Sequence, residues 1–479
     1  MKIMLFNSLH FLVFFIVITV FFFLFKKQYR WSLLLLASCY FYMVFVPYYI
    51  LILAFTIIID YFAGILIESS SDKSKRKFWL VTSIVANVGI LCFFKYYNFF
   101  NENIDAACHA LGLNNSIPYL KIALPIGLSF HTFQAMSYTI EIYRGKFKAE
   151  RHFGIYALYV MFYPQLVAGP IERPQNVLPQ FHKFADFDAN RVISGLRLMV
   201  WGLFKKVVIA DRMTQLVDHF YDKPEQHHGI GLLMATYFFT IQIYCDFSGY
   251  TDMAIGAARV MGVDLMENFR RPYFSKSIQE FWTRWHISLS TWFRDYLYIP
   301  LGGSRVSAFR IYMNVAIVFL ISGFWHGANW TFVIWGAIHF IYVFIQMKFF
   351  SKLTLDMKNP FMNKMLSFFK IVFVFNLVAV AWIFFRAKNV SDAFYILQHI
   401  FDFTHVSLSS ITFYRFGLYS LILSVLFTIF MFFVEYKTET DLSNVSKNYR
   451  KDVLFVSLCL FLIINFGVFD GTSFIYFQF

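Results

Sequence analysis

The sequence predicts an all-α polytopic membrane protein, on three observations. Hydrophobic residues make up 59% of the 479 positions without counting glycine, whereas soluble domains reach ~45–50% with glycine included. Charged residues are 15%, against ~25% in an average soluble chain. The apolar residues, 65 phenylalanines among them, fall in long runs separated by short basic loops. A soluble core cannot bury that much apolar surface, and a bilayer can.

The runs can be followed along the chain. The first, FLVFFIVITVFFFLF, has no small-residue cleavage site after it; KKQYRW follows and a second run begins, which predicts a retained first span. Candidate spans lie near 8–25, 31–45, 47–67, 78–96, 120–142, 154–168 and 192–210. Others lie near 230–247, 278–299, 309–327, 328–349, 366–385, 415–434 and 452–469. A crossing needs roughly 20 apolar residues, and several of these are short or interrupted, so the expectation is roughly 11 transmembrane helices plus re-entrant or interfacial ones. No Pro/Ser-rich linker or internal repeat interrupts the pattern. One integrated domain over 1–479 is expected, with N-terminal helices to 150, a core over 151–350 and C-terminal helices over 351–479.

Net charge is +14. The Lys and Arg cluster in loops between apolar runs, the pattern of membrane anchoring rather than of nucleic-acid binding. KKQYR (26–30), SDKSKRK (71–77) and YRGKFKAERH (143–152) are basic, while the loops around VPYY and NENIDAACHALGLNNS are not. The positive-inside rule then places the N-terminus outside the cytoplasm. The five cysteines show no CxxC and no Cys/His metal spacing, so neither disulfides nor a metal site is expected.

Three stretches differ from ordinary spans. Segments 164–182, 242–273 and 278–305 carry Pro, Gly and polar residues at membrane-like hydrophobicity. Irregular backbone at membrane depth survives only against protein or a water-filled cavity, so these stretches are expected to line a cavity. FYPQLVAGPIERPQ (162–175) cannot be an uninterrupted helix; its Glu172 and Arg173 are either at the mouth of a re-entrant loop or solvated.

Histidines mark the chemistry. FWTRWHISLSTWFRDYLYIPLGGSR (281–305) carries His286, and SGFWHGANW (322–330) carries His326. The thirteen residues from 286 to 299 span ~20 Å of helix and the seventeen from 309 to 326 span ~26 Å. An antiparallel hairpin about LGGS therefore returns the two imidazoles to one level. A buried neutral imidazole retains a lone pair and suits a general base, worth ~10²–10⁴ in rate, which activates a hydroxyl toward an already activated acyl donor such as a thioester. The oxyanion so formed needs a donor: His286, Asn329 or a nearby arginine. The structural alternative stays open. Gly323 and Gly327 are four apart, as at close helix contacts, and the tryptophans also suit interfacial anchoring. His339 lies on another helix face and reads as structural.

QIYCDFSGYTDMAIGAARVMGV (242–263) places Gln242, Asp246, Ser248 and Asp252 in an apolar setting. Carboxylates there are functional candidates: one either fixes a histidine tautomer or pairs with Arg259, or the group is a satisfied network around Gly249. Lys205, Lys206, Arg270, Arg271 and Arg305 suit the phosphates of a cytosolic coenzyme or anionic lipid equally.

These motifs, together with LPIGLSFHTFQAMSYTIEIYRG (124–145) and FIYFQF (474–479), resemble those of the membrane-bound O-acyltransferases, and more narrowly the bacterial alginate O-acetyltransferase branch. The resemblance covers nearly the whole chain. It implies a helical ring thinned around a central tunnel, with His326 as the catalytic histidine and His286 at the second active-site position. Trp285, Arg284, Arg294, Asp295, Trp325, Asn329, Asp246 and Gln242 are candidate substrate-binding residues around them. It further implies acetyl-coenzyme A as a donor substrate with no resident cofactor, and a multi-pass location in the bacterial inner membrane among its lipids. The acceptor is then an exported polysaccharide or a periplasmic acetyltransferase- or esterase-like relay partner. D-alanyl transfer to teichoic acid, in a related and shorter branch, is an alternative. A transporter with broken helices and a non-enzymatic export scaffold are two others.

Overall fold

The computed structural model describes residues 4–121, 124–350, 359–404, 417–438, 449–469 and 474–475. Among the described residues the chain is all-helical, and its contacts form two compact units. One comprises 1–199 with 251–266, the other 200–250 with 267–479.

The first unit begins with α1 (Leu9–Leu24), α2 (Arg30–Met43), α3 (Ile50–Ser69) and α4 (Lys73–Leu91). Ser8 and Asp72 accept backbone N–H groups at the starts of α1 and α4, satisfying donors that a helix start leaves open. A π-helical turn at Cys92–Tyr96 leads into α5 (Tyr97–Ala110). α6 (Leu128–Tyr143) packs against both α3 and α4, which also pack on each other. It starts only after Gly127, which has φ 77°; a Cβ there would come 2.6 Å from the Leu166 carbonyl oxygen. The expected span at 120–142 is therefore shorter by a left-handed turn. α7 (Phe153–Met161), the single turn α8 (Tyr163–Leu166) and α9 (Pro174–His182) follow, with buried chain between α8 and α9. The break anticipated from the prolines of 162–175 is present. Glu172 is fully buried rather than solvated, accepting from the Met266 amide and from Asn176 Nδ2.

The basic loops of this unit meet at one end. Lys27 pairs with Asp186 at 2.6 Å, and its hydrogen bond holds that carboxyl below the usual range. Arg30 donates to the Ala185 carbonyl at 3.1 Å, His182 meets Glu150 at 2.7 Å, Arg151 pairs with Glu68, and Arg76 donates to the Tyr143 carbonyl at 2.8 Å.

Helix α10 (Ala189–Phe204) runs into a π-helical segment, Lys205–Ala210, and then α11 (Asp211–Tyr221). The 31-residue α12 (Ile230–Val260) contributes residues to each unit. The second unit continues with α13 (Ile278–Arg284), α14 (Ile287–Phe293), α15 (Ala308–His326), α16 (Trp330–Ile345), α17 (Pro360–Arg386), α18 (Val390–His399), α19 (Gly417–Lys437) and α20 (Tyr449–Phe466). α15 and α16 form the closest pair. A Cβ on Gly323 would strike the Phe332 carbonyl, and one on Gly336 the Phe319 carbonyl, with the two glycines facing each other. Gly323 thus serves close packing as its spacing suggested, but its partner is Gly336; Gly327 instead faces the Phe332 ring.

Seven helices among the described residues are long and apolar enough to cross a membrane: those at 47–69, 73–110, 230–260, 308–326, 330–350, 360–386 and 417–437. Hydropathy alone gives more candidates because it cannot see breaks. The expected span at 278–299 is divided between α13 and α14, and that at 154–168 between α7 and α8.

Candidate active site

Both histidines belong to the second unit, and each ends or begins a helix. His326 is the last residue of α15, closed by Gly327 in an extended conformation. His286 is the N-cap of α14, with φ 45° and ψ 54°. Only Arg271 and His286 among the described non-glycine residues have positive φ. That conformation costs on the order of 1–3 kcal/mol and persists where surrounding contacts enforce it.

The enforcing contacts come from Asn268. Its carbonyl accepts the Ile287 amide at 2.9 Å, and the Arg270 amide donates to the Arg284 carbonyl at 2.9 Å. Two short stretches of chain are thereby held side by side, and the backbone must turn sharply at 285–286. Asn268 Oδ1 then gathers three donors: the Ser288 amide at 3.1 Å, Ser288 Oγ at 2.9 Å and His286 Nδ1 at 3.1 Å. The backbone amide fixes that atom as the oxygen, so His286 Nδ1 carries the proton. In the neutral ring the lone pair lies on Nε2. Asn268 was not among the sequence candidates; it lies 18 residues before His286 in a charged stretch that reads as a loop.

The two imidazoles meet one indole. The Trp325 ring centroid lies 5.0 Å from His326 and 6.4 Å from His286. The two histidines of the hairpin argument thus meet one ring, although the helix carrying His286 is broken rather than straight. Around His326 stand Trp335 at 5.1 Å and Phe385 at 5.3 Å, both near edge-on. Around His286 stand Phe247 at 4.7 Å and Phe269 at 6.2 Å. Trp285 packs on Phe269 at 5.0 Å and on Trp382 at 5.0 Å, and Trp335 stacks on Trp382 at 5.6 Å. His286 and His326 are buried, at 0% and 4% exposure, in this aromatic shell. Trp335, Trp382 and Phe385 were not singled out in the sequence, where an aromatic in an apolar run carries no signal of its own.

The other candidates divide. Gln242 donates to Thr214 Oγ1 at 2.9 Å. Asn329 caps α16 by accepting the Thr331 amide at 3.0 Å and donates to the Lys388 carbonyl at 3.0 Å. Arg284 pairs with Glu280 at 2.6 Å, and Arg294 with Asp295 at 2.8 Å. Asp246 pairs with Lys206 at 2.7 Å, not with Arg259, whose partner is Asp264 at 3.7 Å. Lys205 and Lys206 are buried, not on a surface that meets phosphates. Lys205 Nζ donates to Ser248 Oγ at 2.9 Å and lies 5.6 Å from the Tyr244 ring centroid. Arg270 pairs with Glu267, and Arg271 donates to the Glu435 carbonyl at 3.2 Å. His339 accepts from Trp282 Nε1 at 3.3 Å on Nδ1, in keeping with a structural role.

A model of the membrane-bound O-acyltransferase family matches residues 152–386, which hold both histidines and the aromatic shell. A probable alginate O-acetylase (AlgI) of Pseudomonas aeruginosa is 38% identical over 85% of this chain and 77% of its own length. The chain belongs to the membrane-bound O-acyltransferase family. Within that family, a peptidoglycan O-acetyltransferase of Helicobacter pylori is 37% identical over 78% of this chain and 74% of its own. A teichoic acid D-alanyltransferase of Bacillus subtilis is 27% identical over 55% and 69%. The chain is thus a multi-pass membrane O-acyltransferase, and the transporter and scaffold alternatives give way to an enzyme.

Proposed function

We propose that this O-acyltransferase moves an acetyl group from cytosolic acetyl-coenzyme A to a hydroxyl of an exported polysaccharide, directly or through a periplasmic relay partner. The bacterial inner membrane would be the setting. The observation that carries the reading is the buried pair His286 and His326, both in contact with Trp325, within the family-matched region. Acetyl is favoured over D-alanyl because the O-acetylating relatives match 78–85% of the chain, against 55% for the D-alanyltransferase.

His326 acts as the general base. It takes the proton of the acceptor hydroxyl as that oxygen attacks the thioester carbonyl, and the carbon–sulfur bond then breaks to release coenzyme A. The carbonyl end of α15 lies at this ring, so the helix macrodipole favours the positive charge that forms there. His286, with its proton committed to Asn268, offers Nε2 as an acceptor. That suits orienting an incoming hydroxyl better than donating to an oxyanion. The donor that the oxyanion needs is supplied by Trp335 Nε1–H, which is buried beside His326 with no acceptor among the described residues.

The test is His326→Ala in membranes of the producing cell. Coenzyme A release from acetyl-coenzyme A and the acetyl content of exported polymer should both fall by about 10²–10⁴-fold, with the protein still extracted as a folded, monodisperse species. Undiminished acetylation by that variant would refute the assignment.

A further inference from the structure

The second unit contains a buried charge cluster that this mechanism does not use. Lys206 Nζ lies 2.7 Å from Asp211 Oδ1 and 2.7 Å from Asp246 Oδ1. The three side chains come from the π-helical segment, the start of α11 and the middle of α12, and all are excluded from solvent. Two carboxylates meet this ammonium in a buried setting, where each carboxylate oxygen is costly unless a donor reaches it. One such donor comes from far along the chain. Asp246 Oδ2 accepts the Ile475 backbone N–H at 2.7 Å, a charge-assisted bond of the stronger kind.

That bond seats a segment beside the candidate site. The Phe474 ring stacks on Tyr250 at 4.8 Å and meets Phe247 at 5.7 Å. Phe247 in turn stands edge-on to His286 at 4.7 Å. A continuous path therefore leads from the charge cluster through residues 475, 474 and 247 to an active-site imidazole.

We infer that Asp246, held by Lys206 and Asp211, is a positioning residue for acyl transfer: it anchors segment 474–475 so that Phe474 and Phe247 fix the His286 ring. This rests on the reading that His286 and His326 form the acyl-transfer site. The second Asp246 oxygen bonds a backbone amide 229 residues away, so the cluster fixes where that segment sits as well as satisfying its own charge. Buried ion pairs are also weak stabilisers, best retained where they specify an arrangement.

The experiment follows coenzyme A release from acetyl-coenzyme A in native membrane vesicles holding the full chain. Ile475→Pro removes the donated N–H and changes no charge. Asp246→Leu removes the acceptor, and Asp246→Asn keeps one. The first two should each lower kcat roughly 10–100-fold with KM for acetyl-coenzyme A held within about twofold, and Asp246→Asn should restore most of the loss. The Asp246→Leu/Ile475→Pro double variant should be no worse than the poorer single one, as expected for one shared interaction. Wild-type kcat in Ile475→Pro, or losses that multiply in the double variant, would overturn the inference. Should Asp246→Leu fail to fold, Ile475→Pro decides alone. His326→Ala is run alongside: activity there would sink the acyl-transfer reading, whereas its inactivity beside fully active Asp246 and Ile475 variants would sink only the anchor.

Discussion

At the scale of single residues, Asn268 holds more of the site together than its surroundings in the sequence suggest. One side-chain oxygen receives three donors, and the same residue's carbonyl receives a fourth. Asn268→Ala would leave the Ser288 amide, the Ser288 hydroxyl and His286 Nδ1 without that acceptor in a buried place. Each loss costs about 1–3 kcal/mol where water cannot substitute. The expected outcome is a lower midpoint of thermal unfolding in detergent together with a fall in acyl transfer. Transfer at the wild-type rate would show that the His286 tautomer does not matter. The histidines themselves were legible, because imidazole beside tryptophan in an apolar run is unusual. Their partners were not. Asn268 and Asp246 act through pairings 18 and 40 residues away in sequence, His286 and Lys206 respectively, and no local pattern encodes such a pairing. The arginines at 284 and 294 looked equally suited to substrate and turn out to be matched by Glu280 and Asp295.

At the scale of elements, hydropathy located the apolar helices, and proline and glycine located several of their breaks. The break at Trp285–His286 was invisible because TRWHISL contains neither residue; the turn is imposed by the neighbouring stretch at 268–270. The π-helical segments at 92–96, 205–210, 294–298 and 346–350 were likewise unreadable, since one widened turn leaves the apolar pattern almost unchanged. Helix contacts offer a paired test. Gly336→Ala would drive a methyl into the Phe319 carbonyl and force apart the helix that ends in His326. A loss of about 1–3 kcal/mol is expected, with reduced turnover. Gly89→Ala, in α4 with nothing within 4 Å of the new methyl, should be neutral or stabilising by about 0.5–1 kcal/mol. Thermal unfolding of the two variants checks both, and equal shifts would contradict the packing described for α15 and α16.

At the scale of the whole molecule, the alternation of basic and neutral loops was legible as a topology, and the first unit gives it a physical counterpart. The loops at 26–30, 68–77, 143–152 and 182–186 are tied to one another at one end. If that end faces the cytoplasm, cysteines placed at Ser74 and Lys148 should react with a membrane-impermeant maleimide only after the membrane is opened. A cysteine at Ser116, in the neutral loop, should react without opening. The measurement needs a background with the five native cysteines replaced. Labelling of all three from the same side would overturn the orientation.

The indole that touches both imidazoles makes the site its own optical probe. A protonated histidine quenches tryptophan emission strongly and a neutral one weakly. In a chain that keeps only Trp325 and Trp335 of the ten tryptophans, both of which touch the His326 ring, the emission would register the arrival of a proton there. If His326 takes the acceptor's proton, that emission would dim during turnover without any label on the substrate.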